Sequence, residues 1–160
     1  MYKPSPYRKL GLAWICLCLA TAIHVTDEAL TGFLAVYNPT VTAMRERWGW
    51  FPMPTFAHRE WLLGLVGGIV FALLLTPLAY RGSRIIRPIA WVLSVIMILN
   101  AGGHMLATIF GRTVESVRLA RPAPGFYSSP LLVSAAIYLI VQLRRTGRLR
   151  SENLAHSARA

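Results

Sequence analysis

The stretch LGLAWICLCLATAIHVTDEALTGFLAVY, residues 10–37, decides the fold, because it is long and apolar yet contains three titratable side chains. A helix that crosses a bilayer needs about 20 mainly apolar residues, and this stretch exceeds that length. His24, Asp27 and Glu28 lie in its second half. A charged side chain at membrane depth costs roughly 2.5–3.5 kcal/mol on insertion scales. We therefore expect this cluster to have a function inside the membrane, because a simple anchor would carry apolar residues here.

The composition of the whole chain also indicates a membrane protein. Of its 160 residues, 55% are hydrophobic and 14% are charged, whereas soluble domains are about 25% charged. The net charge of +11 does not predict nucleic-acid binding. The basic residues lie at the ends of long apolar runs, where topology signals and contacts with lipid head groups belong.

Four apolar runs predict an all-α, integral membrane four-helix bundle that forms one domain, residues 1–146. The predicted spans are about 10–37, 61–80, 88–110 and 130–143. Because proline disrupts helical hydrogen bonding, we expect Asn38-Pro39 to end the first span and Pro77 to kink the second. A basic tail, residues 147–160, follows the last span.

The distribution of Lys and Arg predicts the orientation. With four spans, the N-terminal segment, the second connection and the C-terminal tail share one side, and together they contain eleven basic residues. The other two loops contain six. Cytoplasmic segments carry the excess of basic residues, so we expect both termini in the cytoplasm.

The helix rise places polar residues of the first and third predicted spans at similar depth. At about 1.5 Å per residue, His24 lies roughly 21 Å along from Leu10, and His104 lies roughly 24 Å along from Pro88. The two spans run in the same direction, and Asn100 precedes His104 by one turn on the same face. We therefore expect a polar site between these two helices, in the outer half of the membrane.

Two chemistries fit this group of residues, and spacing alone does not separate them. In the first, His24, Glu28 and His104 bind a divalent metal such as zinc, iron or manganese. His58 and Glu60, at the outer end of the second span, are possible further ligands. In the second, no metal is present, and Glu28 is a buried acid or base with a histidine as its proton partner.

Both chemistries predict an intramembrane enzyme that acts on a hydrophobic small molecule, a lipid or an isoprenoid, as a hydrolase, isomerase or cyclase. We assign the acid/base role to Glu28 and an orienting role to Asp27 and Asn100. The sequence has no Gly-rich nucleotide loop, so we expect no nucleotide cofactor. It also has no Gly-x-Ser-x-Gly motif that would indicate serine hydrolysis.

Two other classes of function remain open. The same residues can pass protons or hold a ligand in a small transport or binding protein, although four helices without an inverted repeat are few for a transporter. Alternatively, the cluster can dock a helix of another protein in a membrane assembly. Gly64-x-x-x-Gly68 in the second span is a close-packing motif that predicts a possible homodimer.

Three motifs in order resemble a known family. His24-Val-Thr-Asp27-Glu28 is similar to the His-x-x-Glu-Glu signature of the HXXEE-domain family of small bacterial membrane proteins, with Asp27 in place of the first Glu. The resemblance continues at Asn100-Ala-Gly-Gly-His104 and at Pro124-Gly125, and it covers about residues 20–143. It implies a multi-span protein of a bacterial inner membrane whose motif is a suspected active site, and it does not name a reaction.

Overall fold

Helices account for most of the chain in the computed structural model, which describes residues 6–157 and the side chains of 7–149. Two long helices, α1 (Pro6–Leu30) and α5 (Ile86–Phe110), flank a third, α6 (Ser129–Ser157). Three shorter helices are α2 (Phe33–Arg47), α3 (His58–Leu74) and α4 (Thr76–Tyr80). The strands β1 (Arg112–Val114) and β2 (Val117–Arg118) form an antiparallel hairpin after α5.

Three segments of the described chain are long and apolar enough to cross a membrane. They are Tyr7–Leu30, His58–Tyr80 and Ile86–Phe110. The predicted interruption near Pro77 is present, because α3 ends at Leu74 and Pro77 lies at the beginning of α4. The sequence-based expectation of a membrane-associated helical protein is therefore confirmed at this level.

The last predicted span, residues 130–143, lies within the longer helix α6 but is not among these three segments. Its apolar part, residues 129–143, is about 22 Å long at 1.5 Å per residue, which is less than the roughly 30 Å of a hydrocarbon core. The helix continues through Arg144 and Arg145 into the predicted basic tail and ends at Ser157. The other residues of the tail, 158–160, lie outside the described residues.

The first predicted span is divided into two helices, and the expected stop at Asn38-Pro39 is wrong. Helix α1 ends at Leu30, and Gly32 adopts the left-handed conformation with φ +76° that often follows a helix end. Pro39 lies inside α2. A helix tolerates the loss of one backbone hydrogen bond when its surroundings hold it, and the Asn38 side chain exchanges two hydrogen bonds with the Phe56 backbone.

The hydrophobic core lies along α1, α5 and α6. It includes Trp14 and Leu17 from α1, Ile86 from α5, and Leu132 and Leu139 from α6, each at most 1% exposed. Helix α6 therefore packs against both long helices along most of their length. This arrangement brings the loop before α6 to the polar ends of α1 and α5, where the candidate site is located.

Candidate metal and acid/base site

Three ionisable side chains meet where α1 and α5 come together. His24 and Glu28 lie one turn apart on α1, and His104 extends from α5. They are 1%, 4% and 7% exposed, so water has little access to them. Their ligand atoms all lie within 4.8 Å of one another. The structure thus brings together the three residues that the sequence predicts as metal ligands.

Glu28 lies between the two histidines. Its Oε1 is 2.9 Å from His104 Nε2 and 3.4 Å from His24 Nε2. Both contacts are within ion-pair distance, so the buried Glu28 carboxylate faces an imidazole nitrogen of each histidine. A buried charged group is normally paired or binds a metal, and both arrangements are open to this carboxylate.

Asp27 reaches His24 through Ser128, a residue that sequence reasoning missed. Asp27 Oδ2 accepts hydrogen bonds from the Ser128 backbone N–H (2.9 Å) and from its hydroxyl (2.7 Å). Ser128 Oγ in turn lies 2.8 Å from His24 Nδ1. An ionised carboxylate only accepts, and a hydroxyl has one proton to donate. His24 Nδ1 must therefore be the donor to Ser128, which leaves its Nε2 free to accept.

The amide of Asn100 binds the accepting nitrogen of His24. Its Nδ2 lies 2.8 Å from His24 Nε2, one turn before His104 on α5. Asn100 and the Asp27–Ser128 pair thus hold the two ring nitrogens of His24 from opposite sides. A histidine with both nitrogens engaged has a defined tautomer and ring orientation.

The turn before α6 closes the cluster. Gly125 is buried and has φ +78°, and a Cβ built on it would lie 2.9 Å from His104 Cε1 and 3.0 Å from His24 Cε1. The turn is held on both sides, because Ala123 N donates to Thr108 Oγ1 and Gly125 N donates to Thr31 Oγ1. Only glycine allows the backbone to approach the imidazole rings this closely in this conformation.

A cavity of about 530 Å³ adjoins the cluster. Asn100 and His104 form part of its wall, and α2, the second half of α5, the hairpin and the loop before α6 form the rest. Its lining is mostly apolar and includes Phe33, Leu99 and Phe110. An apolar cavity of this size with a few polar groups at one place is typical of a small-molecule site.

The structure does not bring His58 and Glu60 into the cluster. Both are exposed at the beginning of α3. The Glu60 carboxylate accepts from the Ala57 backbone N–H at 3.4 Å, and the His58 ring contacts Trp61. Both residues do lie at the end of the second apolar segment, as predicted. Their contacts, a helix-start hydrogen bond and an aromatic pair, do not link them to the metal ligands.

Ser128 lies just before the predicted fourth span, so the hydropathy pattern contains no signal for its role. Gly125 did have a signal, because Pro124-Gly125 is one of the three motifs on which the family resemblance is based. Comparison of the chain with protein-family models, curated proteins and solved structures found no match. Membership of the HXXEE-domain family therefore stays a prediction.

Proposed function

We propose that this protein is an intramembrane enzyme that holds a divalent metal at His24, Glu28 and His104 and acts on a hydrophobic small molecule in the adjoining cavity. The observation that carries the proposal is the convergence of these three buried ligand atoms beside an apolar cavity. Two histidines and one glutamate are also the donor set of a well-known class of catalytic zinc sites, which keep one position open.

The ligand spacing fits a metal of this kind. A tetrahedral ion about 2.0–2.1 Å from each ligand separates neighbouring ligand atoms by about 3.3 Å. The observed separations from Glu28 Oε1 are 2.9 Å to His104 Nε2 and 3.4 Å to His24 Nε2. Asn100 Nδ2 currently occupies the side of His24 that a metal would use, so loading requires this amide to turn away.

The surrounding residues have clear supporting roles. The Asp27–Ser128 pair fixes the tautomer in which His24 Nε2 carries the lone pair, the form that binds metals. If no metal is bound, Glu28 is the group that accepts or returns a proton, because its carboxylate is the common neighbour of both imidazoles. A bound divalent metal supplies Lewis-acid polarisation and an acidic water, which favours hydrolysis among the possible reactions.

The substrate class follows from the cavity and its place in the chain. The cavity lining is apolar except for a few groups, and the helices around it are apolar enough to cross a membrane. A lipid or an isoprenoid enters such a site from the bilayer and presents its reactive part to His104. The turn at Gly125 covers one side of the cluster and keeps bulk water away from it on that side.

The proposal includes a specific arrangement in the membrane. We place α6 as a short fourth span that completes a four-helix bundle, with both termini in the cytoplasm of a bacterial cell and the site in the outer half of the inner membrane. The basic residue count supports this orientation. Gly64 and Gly68 are exposed on α3 along a groove that Cys18 of α1 and Met97 of α5 also line, and we place a helix of a second copy against this groove.

The metal content of the detergent-purified protein tests the proposal. We expect about one zinc, iron or manganese ion per chain, and we expect it to be lost in His24→Ala and in His104→Ala. His58→Ala is the matched control, because His58 is an exposed histidine outside the cluster, and it should retain the metal.

A well-folded wild-type protein that binds none of these metals after reconstitution would exclude the metal site. Glu28 and His104 would then be a proton-sharing pair 2.9 Å apart. Isomerisation or cyclisation of an isoprenoid, driven by protonation, would be the reaction to assay next.

A further inference from the structure

Three exposed arginines lie together next to the cavity, and one of them, Arg112, also lines it. Arg112 and Arg118 face each other across the hairpin as a β1–β2 pair, and Arg121 follows in the next loop. All three line a depression of about 350 Å³ next to Phe110, the last residue of α5. We call Arg112, Arg118 and Arg121 the arginine cluster.

The arginine cluster forms no ion pair within the described part of the protein, and the nearest acidic residue in sequence is Glu115 in the turn of the same hairpin. Among side chains 7–149, no carboxylate oxygen lies within 4.0 Å of any of the three guanidinium groups. Two like charges directly opposite each other on neighbouring strands destabilise a hairpin. A hairpin of only a few residues has little to offset this repulsion, so an anion that bridges the arginines would stabilise it.

The depression and the large cavity adjoin each other. Phe110, Arg112 and Leu119 line both of them. His104 lies six residues before Phe110 on α5, which is about 9 Å along the helix axis. One molecule can therefore contact the arginine cluster with one end and reach the His24, Glu28 and His104 group with another part.

The positive-inside rule does not explain why the arginine cluster is positively charged. In the proposed orientation these arginines lie on the outer side, whereas the positive-inside rule concentrates Lys and Arg on the cytoplasmic side. A requirement for binding explains their presence better than a requirement for orientation does.

We propose that Arg112, Arg118 and Arg121 bind the phosphate group of an amphipathic substrate whose hydrocarbon part occupies the 530 Å³ cavity. Guanidinium groups bind phosphate oxygens in pairs, with short charge-assisted hydrogen bonds. This inference rests on the proposed function, and it narrows the substrate from a hydrophobic molecule to a phosphate-bearing lipid or isoprenoid.

Lipid binding to the full-length detergent-purified protein tests the inference without any assay of turnover. Native mass spectrometry measures the affinity for phosphatidate, for diacylglycerol with the same acyl chains, and for inorganic phosphate. We expect phosphatidate to bind at least tenfold more tightly than either of the others. Diacylglycerol lacks the phosphate, and inorganic phosphate lacks the hydrocarbon part, so each probe removes one half of the proposed contact.

A charge-matched pair of variants locates the binding site. Arg112→Gln combined with Arg118→Gln should weaken phosphatidate binding tenfold or more, because each charged hydrogen bond lost costs about this factor. Arg47→Gln combined with Arg59→Gln removes the same charge from exposed arginines outside the depression and should change it less than twofold.

Two results would overturn the inference. Equal weakening in both double variants would mean that general electrostatic attraction binds the lipid. Equal affinity for phosphatidate and inorganic phosphate would mean that the cavity does not hold the hydrocarbon part. The metal content separates these failures from a failure of the proposed function, because the arginine variants keep all three metal ligands.

Discussion

Helices α1 and α3 are both apolar enough to cross a membrane, but they have different surroundings. The α1 span has a mean hydropathy of 1.6 and is 50% buried inside the protein, whereas the span that begins with α3 has a mean hydropathy of 2.4 and is 6% buried. The polar cluster belongs to the helix that the rest of the protein covers. Polar side chains at membrane depth persist where protein groups bind them, and a helix that faces lipid has no such groups to offer.

A carboxylate placed on α3 tests the difference between the buried α1 and the exposed α3, and it is expected to give the largest change in free energy. Val70 is half-exposed on the apolar surface of α3. Val70→Asp should make insertion of the α3 segment less favourable by about 2.5–3.5 kcal/mol, because no partner is available there. The apparent insertion free energy, measured in a host membrane protein, checks this value.

Val70→Leu is the control for that measurement and should insert as well as the wild-type segment. If Val70→Asp inserted equally well in the full-length protein, the surface of α3 would be covered by another chain, and the contrast with α1 would disappear.

A pair of glycine substitutions compares the two regions directly. Gly125 has φ +78° and lies against both imidazole rings, whereas Gly67 on α3 has open space around it. Gly125→Ala should lower the free energy of unfolding by about 1–3 kcal/mol, because of backbone strain and the clash with His104. Gly67→Ala should be neutral or stabilising, since alanine favours a helix.

Thermal unfolding of both glycine variants in detergent, together with their metal content, checks this prediction. Gly125→Ala should also lose metal, because the added methyl group displaces the ligand rings. A Gly125→Ala variant with wild-type stability and metal content would show that the turn before α6 does not hold the site closed.

Removal of the Ser128 hydroxyl tests whether the Asp27–Ser128 pair orients His24, and we expect a smaller effect than for Gly125→Ala. Ser128→Ala removes both the contact with His24 Nδ1 and the hydroxyl bond to Asp27. We expect the metal affinity to fall 10–100-fold, the usual effect of losing a group that orients a metal ligand. Competition with a chelator measures the affinity.

Ser134→Ala is the matched control, since the Ser134 hydroxyl is exposed and donates only to the Pro130 carbonyl one turn earlier. If both serine variants kept the wild-type affinity, Ser128 would not orient His24 for metal binding.

The contact between α1 and α3 is expected to give the smallest effect. Trp14 Nε1 donates to the Ala72 carbonyl at 2.8 Å, near the point where α3 is interrupted. Trp14→Phe should reduce the free energy of unfolding by about 0.5–1.5 kcal/mol for the lost hydrogen bond, and by somewhat more in total because the smaller ring leaves a gap in the core. Trp50→Phe, at a residue that is 77% exposed, should change it far less in the same denaturation series.

Local patterns in the sequence predicted much of the fold and the chemical identity of the site. Apolar runs located α1, α3 and α5, and the depth argument placed His24 and Glu28 opposite Asn100 and His104. These predictions rest on helix periodicity and rise, which depend on short-range geometry alone. The end of α1 at Leu30 was not predicted, because the apolar residues continue past Gly32 and a single glycine is a weak signal for a helix end. The expected stop at Asn38-Pro39 was wrong, because Pro39 lies inside α2.

The sequence by itself determined which residues share a helix face, how far along each helix they lie and that they include two histidines and a carboxylate. The tertiary structure alone decided that Ser128 links Asp27 to His24, which lie 101 and 104 positions from it in the chain. It also decided that Gly125 covers one side of the cluster and that His58 and Glu60 lie outside it. Contacts of this kind depend on how α6 packs between α1 and α5. Helix periodicity carries no information about that packing, because it describes one helix at a time.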